Sequence, residues 1–213
     1  MLHIEMDANY AKFRKYMKNI NFNSSAKEYI EKLKYSLNKI PLDKVQILYD
    51  DIINIWQNRK QVFIFGNGGS GGNSIHLAND FIYGVTKKFG NAIKINSLNS
   101  NQSVITCIAN DEGYDNIFYG QIAVLANEGD LAIALSGSGN SPNIIKALNY
   151  CNSNKIKTHA ILGFDGGMAN KLVNNSIHID IDDMQISEDL QLIIGHMIMQ
   201  KIYNENNSVH QRG

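Results

Sequence analysis

The sequence predicts an α/β fold, a doubly wound parallel sheet in a three-layer α/β/α sandwich, preceded by an N-terminal helical arm. From residue 61 onward, short apolar runs typical of buried strands alternate with helix-like stretches. Residues 1–59 contain no glycine, and their apolar residues recur at helical spacing. Ten of the 17 glycines fall in three short segments, residues 66–72, 137–139 and 163–167. The first two segments directly follow predicted strands.

The elements are predicted in this order. A helical arm covers residues 1–59, one α/β domain covers residues 60–205, and a polar tail, predicted to be disordered, covers residues 206–213. The last strand alternates aspartate with isoleucine, which indicates an edge strand. The five predicted strands are residues 61–66, 92–96, 131–136, 158–164 and 176–182, and the helices of the domain are expected to begin near Gly71, Asn101, Tyr114, Ser141 and Ile186.

Composition excludes several classes of protein. Lysine and arginine number 20, aspartate and glutamate also 20, so no net charge would attract nucleic acid or an anionic membrane. No apolar run approaches the length of about 20 residues that a spanning helix needs. The two cysteines, Cys107 and Cys151, lie in apolar segments without a CxxC pair. We therefore expect buried structural thiols and a cytoplasmic protein.

The glycine loop, residues 66–72 (GNGGSGG), stands between a predicted strand and a predicted helix. Ligands of parallel α/β sheets bind where strands end and helices begin. The loop matches G-x-G-x-x-G, but no carboxylate ends the next strand to hold a ribose hydroxyl, so we predict no nucleotide cofactor. The alternative is a tight turn in which glycine permits a positive φ angle.

The serine loop, residues 136–141 (SGSGNS), follows the third predicted strand. Three hydroxyls, two glycines and a helix N-terminus form a cradle that suits a phosphate. Ser141 is placed at the N-cap and Pro142 at the first helical position. An ordinary cap in a flexible loop is the alternative, although one cap needs only one hydroxyl. No lysine follows at the spacing of a nucleoside triphosphate loop.

Four blocks together resemble the sugar isomerase (SIS) domain family, and within it the phosphoheptose isomerases. They occur in family order, and the resemblance extends from the helical N-terminus to about Tyr203. The blocks are GNGGSxxxxxH at residues 66–76, AND at 109–111, SGSGNSPNIIKAL at 136–148 and GFDGGMANKL at 163–172.

This resemblance implies an aldose–ketose isomerase that converts sedoheptulose 7-phosphate to glycero-manno-heptose 7-phosphate through an enediol. It further implies a homotetramer with active sites at subunit interfaces, serving lipopolysaccharide or capsule synthesis. Nucleic acid and membrane are not expected partners. The residues it assigns to the phosphorylated sugar are Asn67, Gly68, Gly69, Ser70, Asn110, Asp111, Ser136, Gly137, Ser138 and Ser141.

The catalytic positions depart from the family pattern. Asp80 stands where the family has its catalytic glutamate, and Glu188 stands where it has a glutamine. An aspartate of the family corresponds to Gln185, whereas His196 matches. By resemblance Asp80 is the base and His196 the acid partner. Aspartate is shorter by about 1.5 Å, and a displacement near 1 Å can lower a rate by about 10²-fold. Either the backbone or substrate shifts, or Glu188 shares the work of the base.

The resemblance also implies zinc, which some family members bind through the positions of His76, Asp80, Glu188 and His196. His76 and Asp80 share a helix face. Glu188 and His196 would lie about 12 Å apart along one helix, so both reach one ion only if that helix begins after Glu188 or if two chains combine. The alternatives are a solvated His76–Asp80 ion pair and a core histidine at 196.

Two rival functions stay open. One is a non-catalytic SIS protein that binds a phosphosugar or a protein partner, as do the relatives that associate with the replication initiator DnaA. The other is an isomerase of a different sugar phosphate. The exchanges at residues 80, 185 and 188 favour both rivals.

Overall fold

A computed structural model describes residues 10, 12–13, 21–85 and 89–205. The chain divides into two compact units, residues 1–38 and 39–213. In the first unit, helix α1 spans Phe22–Leu37, and the Asn21 side chain caps it by accepting a hydrogen bond from the Ser24 N–H at 3.3 Å. The predicted disordered tail, residues 206–213, lies outside the described residues.

The second unit contains one five-stranded sheet. Every strand pairs in parallel, in the order β2-β1-β3-β4-β5. The predicted parallel α/β fold is confirmed, and the last strand lies at an edge as predicted. The strands are β1 Gln61–Gly66, β2 Lys94–Ser97, β3 Leu131–Ser136, β4 Lys157–Leu162 and β5 Asn175–His178.

Helices cover both faces of this sheet. Four of the five predicted starts lie within three residues of the observed ones, whereas the one predicted near Tyr114 begins as a 3₁₀ turn, Tyr114–Asn116. None of the helices in the described ranges is long and apolar enough to cross a membrane. The helices are α2 Leu42–Gln57, α3 Gly68–Asn79 with a π-helical continuation Asp80–Gly84, α4 Gln102–Asp111, α5 Tyr119–Leu125, α6 Pro142–Ser153, α7 Ala169–Leu172 and α8 Met184–Glu205.

Alternate strand residues point to opposite faces of the sheet and bury two apolar layers. On one face, Phe65 packs against Phe118 with ring centroids 5.0 Å apart. On the other face, Ile64 and the helical residues Leu48 and Leu77 line one small apolar cavity. Helix α2, predicted as part of the arm, therefore packs as an outer layer of the sandwich. This explains why the division of the chain falls at residue 38 and not at residue 59.

The strand order places a topological switch point between β1 and β3. The chain leaves β1 toward β2 and leaves β3 toward β4, in opposite directions across the sheet. Ligands of open α/β sheets bind in the crevice at the carboxyl ends of such strands. The glycine loop leaves β1 there, and the serine loop leaves β3 beside it.

Candidate active site

The glycine loop is held against the ends of β1 and β3. Asn99 clasps the backbone of Gly66, donating to its carbonyl at 2.8 Å and accepting from its N–H at 3.2 Å. A Cβ at Gly66 would lie 2.7 Å from the Leu135 carbonyl oxygen, so this position requires glycine. Gly68 has φ +54°, as the tight-turn interpretation predicts. Asn99 was not identified from the sequence, although a polar residue two positions after the end of β2 was an available signal.

Two asparagines join the glycine loop to the helix that follows the serine loop. Asn67 Nδ2 donates to Asn143 Oδ1 at 2.9 Å, and Asn143 Nδ2 donates to Asn67 Oδ1 at 2.9 Å. The Tyr114 hydroxyl donates to Asn67 Oδ1 at 3.1 Å. The structure thus brings Asn67 beside the predicted phosphate cradle. Neither Asn143 nor Tyr114 was identified from the sequence.

Hydroxyls of the serine loop bind its own backbone. Ser136 Oγ accepts the Gly139 N–H at 3.0 Å, and Ser138 Oγ accepts the Asn140 N–H at 3.3 Å. A hydroxyl that accepts keeps its proton to donate to an anion. Ser141 occupies the N-cap of α6 as predicted, but among the described residues its side chain makes no capping hydrogen bond. The helix dipole adds a favourable field for negative charge.

The third glycine segment, residues 163–167, supports the serine loop. Gly163 donates its N–H to the Gly137 carbonyl at 3.0 Å. Beyond it, Met168 N–H donates to Asn140 Oδ1 at 2.9 Å. A Cβ at Gly167 would lie 2.5 Å from the Ser138 carbonyl oxygen. This segment, which belongs to the fourth block of the family resemblance, therefore has a packing role in the structure.

Helices α3 and α8 run side by side in the same direction. A Cβ at Gly195 would overlap the Leu77 side chain, so the two helices approach closely there. Nearer the sheet edge, Asn73 Nδ2 donates to Gln191 Oε1 at 3.0 Å, and Gln191 Nε2 donates to Ser70 Oγ at 3.0 Å. Ser70, assigned to substrate binding by resemblance, is 3% exposed, and its hydroxyl lies in this helix interface.

Two histidines and an aspartate meet further along the same helix pair. His76 Nε2 lies 3.0 Å from His196 Nε2, and Asp80 Oδ2 lies 3.3 Å from each of them. His76 and Asp80 share a helix face as predicted. The His196 side chain is 40% exposed, so the alternative of a core histidine is wrong. Asp80 begins the π-helical continuation, a form of helix frequent at functional sites.

Glu188 lies apart from this cluster. It belongs to α8, eight residues before His196, which corresponds to about 12 Å along the axis. Its carboxylate is instead packed against Gly69 in the first turn of α3. Three of the four residues assigned to zinc therefore have ligand atoms within 4.8 Å of one another in the described chain. Glu188 lies at the carboxyl end of β1, near the predicted substrate loops.

Asn110 and Asp111 end α4, and their side chains meet each other. Asn110 Nδ2 donates to Asp111 Oδ1 at 2.7 Å, and the Cys107 thiol donates to Asp111 Oδ2 at 3.5 Å. Cys107 is exposed, so the prediction that it is buried is wrong. The hydrogen bond and negative charge of Asp111 raise the pKa of Cys107. Cys151 is buried as predicted, and desolvation raises its pKa to about 12.

Comparison with known proteins gives consistent matches. The SIS domain family matches residues 22–163. The probable phosphoheptose isomerase of Thermoplasma volcanium is 32% identical over 171 residues, covering 80% of this chain and 87% of that protein. Phosphoheptose isomerase 2 of Campylobacter jejuni is 33% identical over 150 residues, covering 70% and 73%. The solved phosphoheptose isomerase of Neisseria gonorrhoeae shares the fold with TM-score 0.77 at 23% identity, covering 84% of this chain and 97% of that one.

Proposed function

The chain belongs to the SIS domain family, and from this membership we propose that it is an aldose–ketose isomerase of the phosphoheptose isomerase type. Its substrate is sedoheptulose 7-phosphate, and its product is glycero-manno-heptose 7-phosphate. The observation that carries the proposal is the meeting of the two loops at the switch point, where Asn67 and Asn143 bond reciprocally. A cytoplasmic role in lipopolysaccharide or capsule synthesis belongs to the same proposal.

The carboxyl ends of β1 and β3 lie beside both a phosphate cradle and a carboxylate. The serine loop and the N-terminus of α6 hold the phosphate through N–H groups and hydroxyls. Isomerisation moves a proton between C1 and C2 of the sugar, which needs a positioned base. Glu188, packed against Gly69, is a carboxylate on the same side of the sheet edge as Asn67. This placement supports the hypothesis that Glu188 shares the work of the base.

Asp80 lies far along α3 from the glycine loop. From Gly68 to Asp80 the helix extends by about 18 Å. A sugar phosphate has eight bonds from C1 to phosphorus, which span at most about 12 Å. We infer that Asp80 and His196 act on a sugar held by the serine loop of a neighbouring copy. A homotetramer with active sites at its interfaces provides that arrangement.

The His76–Asp80–His196 cluster fits a zinc ion. Zinc binds imidazole nitrogen and carboxylate oxygen at about 2.0–2.2 Å in a tetrahedron, which separates neighbouring ligand atoms by about 3.3–3.6 Å. Asp80 Oδ2 lies 3.3 Å from each histidine nitrogen, which matches this spacing, and the two histidine nitrogens are 3.0 Å apart, about 0.3 Å closer than the tetrahedral spacing. We therefore propose that these residues hold zinc. When bound, zinc would polarise a sugar oxygen.

Proton exchange tests the isomerase proposal directly. The protein is incubated with sedoheptulose 7-phosphate in D₂O, and deuterium at C1 and C2 is followed by NMR. The expected result is enzyme-dependent deuterium entry together with formation of the aldose. A Ser138→Ala variant is the comparison, because the loss of one cradle hydroxyl should weaken substrate binding. Complete absence of exchange at saturating substrate would overturn the proposal.

A non-catalytic SIS protein is the second candidate, favoured by the departures at residues 80, 185 and 188. Such a protein would keep the phosphate cradle and bind a phosphosugar without turning it over. Calorimetry on the same sample separates the two. Tight binding of sedoheptulose 7-phosphate without deuterium entry supports the binding protein, whereas neither binding nor exchange indicates a different sugar phosphate.

A further inference from the structure

Asn143 is buried where the two substrate loops meet. It is 1% exposed and lies in the first turn of α6. Besides its reciprocal bonds with Asn67, its Oδ1 accepts the Ile144 N–H at 2.9 Å. A backbone N–H can only donate, so it determines which atom of the Asn143 amide is oxygen. The reciprocal pair then fixes the orientation of the Asn67 amide as well.

The hydrogen bonds that Asn67 makes within the protein leave its side chain one group for a ligand. Its Oδ1 has two lone pairs, and these accept from Asn143 and from the Tyr114 hydroxyl at 2.9 and 3.1 Å. Its Nδ2 carries two protons, one of which is donated to Asn143. Among the described residues, one N–H of Asn67 therefore stays available. The Asn67 side chain can meet a ligand only as a donor to an oxygen.

Asn143 also replaces Ser141 in capping α6. Ile144 is the third residue of this helix, and the side chain of the N-cap residue ordinarily accepts its N–H. Here Asn143 accepts it, while among the described residues Ser141 makes no capping bond. The Ser141 hydroxyl is thus not used in capping, and it stays available to an anion held by the serine loop. The buried Asn143 side chain thus orients the Asn67 amide in one loop and takes over the capping bond of Ser141 in the other.

We propose that Asn143 is a positioning residue for the sugar phosphate, assisted by Tyr114. It orients Asn67 as a single donor toward a sugar oxygen and frees the Ser141 hydroxyl for the phosphate. The inference rests on the proposed function for the identity of the sugar. The orientation of Asn67 and the release of Ser141 belong to the protein itself.

Three variants of the full chain test this role. Asn143→Ala removes both effects, whereas Tyr114→Phe removes only one bond to Asn67 and changes a side chain that is 55% exposed. Asn101→Ala is the matched control, because Asn101 caps α4 by accepting the Val104 N–H at 3.2 Å. The measurements are KM and kcat for sedoheptulose 7-phosphate, the dissociation constant of inorganic phosphate, and thermal stability.

We expect Asn143→Ala to raise KM and to weaken phosphate binding, each on the order of tenfold. Tyr114→Phe should raise KM by a few fold and leave phosphate binding unchanged. Asn101→Ala should lose stability comparably to Asn143→Ala but keep the KM and phosphate affinity of the wild type. Wild-type KM and phosphate affinity in folded Asn143→Ala would overturn the inference, as would effects equal to those of Asn101→Ala.

A spectroscopic measurement on the wild type covers the case in which Asn143→Ala fails to fold. Asn67 should show two resolved side-chain amide protons, and addition of sedoheptulose 7-phosphate should shift mainly one of them. Equal shifts of both protons, or of neither, would contradict the single-donor role. If the wild type binds the sugar but exchanges no deuterium, the isomerase proposal fails while these binding readouts still judge the positioning role.

Discussion

The carboxylate of Glu188 lies directly against Gly69, closer than any side chain at residue 69 would permit. Gly69→Ala must therefore displace the carboxylate, which sits at the end of a flexible side chain. We expect the rate of proton exchange to fall on the order of 10²-fold, because a displacement near 1 Å has that effect. Urea unfolding should show equal or higher stability, since alanine favours a helix over glycine by up to about 1 kcal/mol.

Gly72→Ala is the matched control for that substitution. Gly72 lies on the same helix, and no atom of the described residues is within 4 Å of its added Cβ. It should gain the same helix propensity and keep the wild-type exchange rate. If both variants exchange protons at one rate, the position of Glu188 does not matter to the reaction.

Glu188→Gln and Asp80→Asn test whether both carboxylates contribute to proton removal from the sugar. We expect each to lower kcat by about 10²–10⁴-fold with little change in KM, which is the usual contribution of a positioned acid or base. The measurement is steady-state kinetics with sedoheptulose 7-phosphate. Full turnover in Glu188→Gln together with none in Asp80→Asn would show that Glu188 takes no part in the reaction.

Mixing these two inactive variants tests the interface. If Glu188 serves the loops of its own chain and Asp80 serves those of a neighbour, some sites in mixed assemblies contain both intact residues. Activity should then reappear after the subunits are unfolded together and refolded. Activity that stays at the level of the separate variants would place both residues in a site built by one chain.

Zinc content tests the His76–Asp80–His196 cluster independently of activity. We expect one zinc per chain by elemental analysis after dialysis, and a thermal midpoint that rises with added zinc because binding favours the folded state. His76→Ala and His196→Ala should lose both effects. Glu188→Ala is the comparison, since Glu188 lies outside the cluster. Zinc loss in Glu188→Ala would instead support the four-residue ligand set that the resemblance implied.

The fold could be predicted from sequence because its strands are short apolar runs with polar boundaries. Buried parallel strands require such runs on both faces, and β1 and β3 match the predicted ranges. The edge position of β5 was predicted from Asp180 and Asp182, although the strand itself ends before them, at His178. The place of α2 could not be predicted, because its apolar face would suit packing against another helix as well as against the sheet.

The candidate site was predictable only where local sequence determines it. Loops after β1 and β3 meet because parallel strands end on the same side of the sheet, so Asn67 lies beside the serine loop. The close approach at Gly195 and Leu77 depends on packing between segments more than 100 residues apart. That approach brings His196 to His76 and leaves Glu188 at Gly69, which agrees with the spacing of about 12 Å expected for two residues eight positions apart on one helix. Cys107 was misjudged because no residue of α4 is buried within the described chain.

The burial of His159 predicts that the free energy of unfolding depends on pH. It is fully buried on β4, where its Nε2 lies 2.7 Å from Asp51 Oδ2 and its Nδ1 accepts from Asn175 Nδ2 at 3.0 Å. Burial lowers the pKa of His159, against the opposing effect of Asp51, with Lys157 adding a smaller lowering effect. Below about pH 6.5, the unfolded chain therefore binds a proton that the folded chain does not. Stability is complete above that pH and falls as the pH drops toward the folded pKa.

Urea unfolding between pH 8 and pH 5 measures this dependence. His159→Gln should be less stable at pH 8, because it leaves the buried Asp51 contact imperfect, but its stability should change less between pH 6.5 and 5. Variant and wild type with the same slope in this window would show that other groups cause the acid loss.

Gly167→Ala tests whether the third glycine segment maintains the phosphate cradle. Gly167 has φ +54°, and its added Cβ would lie 2.5 Å from the Ser138 carbonyl oxygen and 2.6 Å from Asn140 Cγ. The left-handed conformation alone should lower stability by about 1–2 kcal/mol. The overlap should in addition displace the serine loop and weaken binding of inorganic phosphate.

Gly90→Ala is the matched control for the cost of the left-handed conformation, because Gly90 has φ +69° and no described atom within 4 Å of its added Cβ. Calorimetry with phosphate should therefore show wild-type affinity in Gly90→Ala and reduced affinity in Gly167→Ala, whereas equal affinities would mean that the segment supports the fold without shaping the cradle.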